Sequence, residues 1–242
     1  MERRVILKAL VGSHNYNLNT SESDKDYKAF VLPTFEDLYK GDMFSEQIIG
    51  ENEDVDTHDI RKLVNLFFKS NINFLEILYS KNISMTFSKE LKKVFDLKDE
   101  LVKINLPHLF NACGGMHLNK MKQLYKGTEG TQHLVDKFGY DTKQALHAYR
   151  VLNFIDRFAQ SDFTDFKEAI TYTGEDRDFM LSIKHGEFDA ENFENFVKFY
   201  HESRFQGLKE KYHSIKPNLE LKEELEKTIM NLVKNNLLTT NY

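Results

Sequence analysis

Val5-Ile-Leu-Lys-Ala-Leu-Val11 runs straight into Gly12-Ser13-His14-Asn15-Tyr16-Asn17-Leu18, and a short polar loop later comes Asp24-Lys25-Asp26, followed by Tyr27 to Leu32. The first run is short, aliphatic and closed by glycine, which predicts a buried strand. Ser13 to Leu18 can form a brief helix, with Ser13 near its N-cap. Asn19 to Ser23 reads as a loop. Asp24 to Leu32 predicts a second strand, stopped by Pro33. Alternate residues of a strand share a face, so Asp24 and Asp26 project together, roughly 6–7 Å apart along the backbone. Two ionised carboxylates at that spacing repel, and a hard divalent cation relieves the repulsion.

The same stretch offers a place for phosphates. Where a strand gives way to a helix, backbone N–H groups and the positive helix end attract anions. Gly12 permits close approach, Ser13 adds a hydroxyl, and His14 sits in the same loop. An anion cradle beside a two-carboxylate metal site points to phosphoryl or nucleotidyl transfer. Such chemistry calls for a third carboxylate on a neighbouring strand. Asp54, Asp56 and Asp59 are the candidates. Asp56 is favoured, being nearest the middle of its strand. Asp54 reads as a solvated edge residue, and Asp59 as an N-cap for Ile60-Arg61-Lys62.

Working outward, residues 34–40 predict a helix capped by Thr34, and Phe44 to His58 a hairpin turning at Gly50-Glu51-Asn52. Apolar residues at 60, 63, 64, 67 and 68 follow a helical period, and a second short helix follows over 71–80. Helices are expected over about 88–104, 107–126, 141–161, 163–172, 176–185, 189–213 and 218–238. Only 3 Pro and 11 Gly in 242 residues agree with long helices. The expected layout is a small α/β domain over residues 1–85 and a helical domain over 86–242.

The net charge of −5 gives no global case for nucleic-acid binding, so any RNA contact needs a local basic patch. The lone Cys113 excludes an internal disulfide and fits a reducing, cytoplasmic setting. No apolar run approaches the roughly 20 residues of a membrane span. His117 and His133 lack ligand partners at metal-binding spacing.

Gly12-Ser13 and Ser23-Asp24-Lys25-Asp26 together resemble the Gly-Ser and Asp-x-Asp signature of the DNA polymerase β-like nucleotidyltransferase superfamily. More narrowly, the chain is similar to a nucleotidyltransferase family of bacteria and large phages, whose opening reads Gly-Ser-x-x-Tyr-Gly-Leu-x-Thr-x-x-Ser-Asp-x-Asp. Gly12, Ser13, Tyr16, Leu18, Thr20, Ser23, Asp24 and Asp26 match it, and Asn17 stands in place of the usual Gly. The likeness continues in Asp59-Ile-Arg61-Lys62, in Asn71 and Leu75-Glu76-Ile-Leu78, in Gly139-Tyr140-Asp141 through Lys143, His147, Arg150 and Leu152, and in Leu181-Ser-Ile-Lys184-His185-Gly186. It covers roughly residues 5–200.

The resemblance implies an α+β fold, with a small mixed-sheet nucleotidyltransferase domain followed by a helical substrate-binding domain. It implies transfer of a nucleoside monophosphate from an NTP, with Mg²⁺ (or Mn²⁺) as cofactor and pyrophosphate released. The acceptor is an RNA end, such as that of tRNA, or a protein side chain. Asp24, Asp26 and Asp56 would be the metal ligands and catalytic acids. Gly12, Ser13 and His14 would meet the phosphates.

Lys143, His147 and Arg150 fall on one stripe of the expected 141–161 helix, at spacings of four and three. By pattern alone a charged stripe is usually a solvated face; the resemblance assigns these three to the nucleotide. Arg157 lies two turns further along, beside Asp156, and keeps the solvated reading. Lys120, Lys122, Lys126 and Lys137 read as surface lysines with a lesser claim to an acceptor patch. A different class of function also fits the resemblance: a non-catalytic nucleotide- or partner-binding module that keeps the fold.

Overall fold

The computed structural model describes residues 3–21 and 23–239, and the fold is α+β. The chain divides into two compact units. One runs to Asn105 and takes in the C-terminal segment from Pro217; the other is Leu106–Lys216.

The first unit is built on a five-stranded mixed sheet. Its elements are β1 (Val5–Val11), α1 (Gly12–Tyr16), β2 (Lys25–Val31), α2 (Phe35–Lys40), β3 (Ser45–Ile49), β4 (Glu53–Asp59), α3 (Leu63–Phe68), α4 (Ile72–Leu75), β5 (Ile83–Met85), α5 (Lys89–Asp96) and α6 (Lys98–Leu101). The strands lie in the order β3-β4-β2-β1-β5. All neighbours are antiparallel except β2 and β4, which run parallel.

The hairpin forms as its sequence predicts, with β3 on the sheet edge. Thr34 caps α2 by accepting from the Asp37 N–H, and the Asp37 carboxylate accepts in return from the Thr34 N–H. Asp59 is buried, accepts from the Arg61 N–H and pairs with the Arg61 guanidinium. It begins a 3-10 turn, Ile60–Lys62, that leads into α3. The C-terminal helix Leu219–Thr239 packs on α5 and α3 of this unit. The short strand β5 was not expected. Three residues are too few to show an alternating period.

The second unit is all helical: α7 (Leu106–Lys122), α8 (Gln132–Phe138), α9 (Thr142–Gln160), α10 (Phe166–Ile170), α11 (Gly174–Lys184), α12 (Ala190–Tyr200) and α13 (Lys209–His213). The central helix α9 buries twelve of its residues, among them Leu146, Leu152, Phe154 and Phe158. Asp141 caps it by accepting from the N–H groups of Lys143 and Gln144. Helix α8 escaped the sequence reading because it is only seven residues long, and Leu134, Val135 and Phe138 are too few to show a helical period. The helix expected over 189–213 is helical throughout from Ala190 to His213, with its winding changed in the middle. A widened π turn, His201–Phe205, follows α12 and sets Phe205 parallel to Phe110, ring centroids 4.2 Å apart.

Candidate active site

The sheet register gathers the acids. Asp26 of β2 stands directly opposite Asp54 of β4, and Lys28 opposite Asp56. Partners opposed in register share a face, so one face carries Asp26 beside Asp54, then Lys28 beside Asp56, then Phe30 beside His58. Across the other neighbour, Val11 lies opposite Asp26, which brings the end of β1 and the start of α1 to the acid pair.

The two levels behave differently. At the first, burial raises the Asp26 pKa, and the negative charges of Asp54 and then Asp24 raise it further. Three carboxylates therefore concentrate negative charge where Asp26 is half-buried and Asp24 is open to solvent. At the second level the charge is already balanced. Lys28 Nζ donates to Asp56 Oδ2 at 2.7 Å, and His58 Nε2 lies 2.9 Å from Oδ1. Burial alone would raise the Asp56 carboxyl; Lys28 and His58 outweigh it and hold the pKa below its usual value. Lys28 is itself held over the Phe74 ring, 4.3 Å from its centroid.

Of the three acids weighed for a third carboxylate, Asp54 is the one level with Asp26. Asp56 is engaged one step further along the strand, and Asp59 is spent on its cap and Arg61. A sequence pattern that marks Asp54 and Asp56 as sharing a face does not say which is level with Asp26. That depends on the register of two strands separated in sequence by α2 and β3.

Among the described residues no group of three or more His, Cys, Asp or Glu side chains is arranged to hold a metal ion unaided. Mg²⁺ rarely asks for such a cage. It is commonly held by one or two carboxylates together with substrate phosphates and water. The oxygen-only donor set and the unbalanced charge at Asp24, Asp26 and Asp54 fit that mode.

The cradle residues sit above the acids. Gly12 has φ +70°, the left-handed region, and a Cβ there would stand 2.5 Å from Asp26 Oδ2. Only a glycine lets the backbone lie against that carboxylate. Its N–H is turned inward, donating to Glu76 Oε2 at 3.0 Å. The phosphate donors of this turn are therefore to be sought beyond Gly12. His14 Nε2 donates to the carbonyl of Ser23 at 3.0 Å, tying the turn to the residue before Asp24. The turn ends at Asn17, φ 64°, where the matching motif has Gly. Asn is among the few residues that adopt this conformation readily, so the substitution leaves the chain path intact.

Glu76 was not singled out for the site by sequence reasoning. Its signal is one acid inside the apolar run Phe74-Leu75-Glu76-Ile77-Leu78. An open depression of about 340 Å³, within the size range of ligand sites, lies beside Asp24 and is lined by Ser21, Ser23, Asp24, Lys25, Asn52 and Glu53.

In the second unit, Lys143, His147 and Arg150 lie on α9 as the spacing predicts. Lys143 and His147 are exposed and Arg150 is buried. His147 keeps solvent access, yet the protein crowded around it and the charges of Arg150, Lys120 and Lys143 push its pKa well below the usual value. Lys120 of α7 comes near enough to respond to Asp141 and Arg150, which adds a fourth basic group to this cluster. Arg157 is used locally: it donates to the Thr171 carbonyl, pairs with Glu168 and covers the Tyr172 ring. His117 donates from Nδ1 to the Ala148 carbonyl and stacks on His201. Cys113 is buried, and burial pushes its thiol pKa up to about 12. Among the described residues no helix is long and apolar enough to cross a membrane.

The family model described as RlaP, RNA repair pathway DNA polymerase beta family, matches residues 1–231, and the chain belongs to this family. Membership supports a role of the nucleotidyltransferase type. A comparison with the curated proteins finds no match.

Proposed function

We propose that this member of the polymerase beta group is a Mg²⁺-dependent nucleotidyltransferase that passes a nucleoside monophosphate from an NTP to the end of an RNA. The observation that carries the reading is the level placement of Asp26 and Asp54 beside Asp24, under a glycine turn that a Cβ would fill. In the reaction an acceptor hydroxyl oxygen forms the new bond to the α-phosphorus. The α–β P–O bond breaks, and pyrophosphate leaves with the electron pair.

Asp24 and Asp26 would hold the divalent cation, Mg²⁺ or Mn²⁺, and Asp54 would complete the acidic group. The bound cation supplies positive charge against the triphosphate. Asp54 would also receive the acceptor's proton, a role supported by its standing beside Asp26 and not being engaged with Lys28. Gly12 keeps the turn close to Asp26. Ser13, with its hydroxyl, and His14, through its hold on Ser23, shape the phosphate side. Lys143 and Arg150, which the resemblance assigns to the nucleotide, belong to the helical unit; Lys is suited to point-charge and Arg to two-donor contact with a phosphate.

An RNA acceptor is preferred over a protein side chain because the family's description is one of RNA repair. The test is incubation of the protein with each α-labelled NTP, Mg²⁺ and either total RNA or RNA-free protein extract. Label that enters RNA and depends on Asp24 supports the reading. Label in protein alone shifts the acceptor. NTP binding with no transfer to either makes the chain a binding module.

A further inference from the structure

Glu76 is an acid buried to 2% exposure in the apolar segment after α4. Leaving a carboxylate there is costly unless donors converge on it. Three do, all from one five-residue turn. Oε2 accepts from the Gly12 N–H and from Asn15 Nδ2, each at 3.0 Å. Oε1 accepts from the Tyr16 hydroxyl. The neighbouring backbone continues the grip. Asn15 Nδ2 donates to the Glu76 carbonyl at 3.3 Å, and Asn15 Oδ1 accepts from the Lys81 N–H at 3.2 Å. Ser80 Oγ donates to the carbonyl of Leu10, at the end of β1, at 2.6 Å.

The turn so held is the one that meets both acids. Gly12 lies against Asp26, and His14 holds the carbonyl before Asp24. From this geometry we infer that Glu76 is a positioning residue: its carboxylate sets the Gly12–Tyr16 turn on the acid pair and so fixes where the phosphates of a metal-bound NTP can lie. The nucleotide clause rests on the function proposed above; the clause about the turn does not. Glu76 lies 60 to 64 positions along the chain from its partners, so the contact is a tertiary lock and not a feature of either segment alone.

Glu76→Gln tests the role with little change of volume. An amide keeps one accepting oxygen, but its NH₂ faces donors. The Gly12 amide hydrogen exchange and the dissociation constant of Mn²⁺·NTP are measured on the full chain in wild type, Glu76→Gln and Tyr16→Phe. A charge-assisted bond of this kind corresponds to about ten- to hundredfold. The expected result is Gly12 exchange at least about tenfold faster in Glu76→Gln, with Mn²⁺·NTP binding weakened by a similar factor. Tyr16→Phe should show a smaller change in the same direction. Unchanged Gly12 exchange in a folded Glu76→Gln overturns the inference, as does faster exchange with nucleotide affinity unaltered. If wild type binds no Mn²⁺·NTP, the nucleotide clause falls with the function on which it rests, and the Gly12 exchange still decides whether Glu76 holds the turn.

Discussion

Asp26 and Asp54 stand directly opposite one another on parallel neighbouring strands, with Gly12 pressed against the Asp26 carboxylate. Side chains opposed in register are near neighbours, and two carboxylates so placed are unfavourable unless a proton or cation is shared. The arrangement costs stability in the metal-free protein, as is common where a site is built for function.

The cost has a definite pH sign. The folded pKa of Asp26 is raised, so the folded state binds this proton more tightly than the unfolded state does. Stability then falls as pH rises from the ordinary aspartate range, about 4, through the raised value. Asp26→Asn should therefore melt higher than wild type at neutral pH without divalent cation, and the difference should vanish below about pH 4. Thermal melts across pH, with and without Mg²⁺, check this. Mg²⁺ should stabilise wild type and leave Asp26→Asn nearly unmoved.

Gly12→Ala combines a strained φ with a Cβ 2.5 Å from Asp26 Oδ2. The left-handed conformation alone costs an L-residue about 1–2 kcal/mol. The substitution should lower stability by at least that amount in chemical denaturation and displace Asp26. Nucleotide transfer should drop more steeply than stability alone explains.

The Lys28–Asp56 pair predicts the opposite split. Lys28 and Asp56 side chains are 13% and 32% exposed, so removing the acid strands a mostly buried cation. Asp56→Asn should cost about 1–3 kcal/mol of folding stability. Because the Asp56 pKa is held low, that loss should be seen at neutral pH and shrink as pH falls through the folded pKa. Urea titrations at two pH values measure it.

Asn17 occupies a left-handed position that the matching motif gives to Gly. Asn17→Gly should change stability by no more than about 0.5 kcal/mol. Asn17→Val should cost about 1–2 kcal/mol, since a β-branched side chain does not tolerate this φ. Denaturant melts of the two variants distinguish the readings.

Much of this was legible in the residues because it is local. The glycine after β1, the Asp-x-Asp at the head of β2, the Thr34 cap and the stripe Lys143, His147, Arg150 on α9 all follow from neighbours within a few positions. What the residues concealed is tertiary. Asp54 and Asp56 share a face of one strand, and only the β2–β4 register decides which meets Asp26 and which meets Lys28. Glu76 looks like a stray charge in an apolar run until Gly12, Asn15 and Tyr16 are folded onto it. Helix α8 and strand β5 are each too short to show a period.

The central claim is that Asp24, Asp26 and Asp54, without Asp56, form the acidic group for nucleotide transfer. It is tested most directly by comparing Asp54→Asn and Asp56→Asn in α-labelled NTP transfer at saturating Mg²⁺. The account predicts that Asp54→Asn loses at least about a hundredfold in kcat, and that folded Asp56→Asn stays within about tenfold of wild type. Near-normal transfer by Asp54→Asn, with activity abolished in Asp56→Asn, would contradict it.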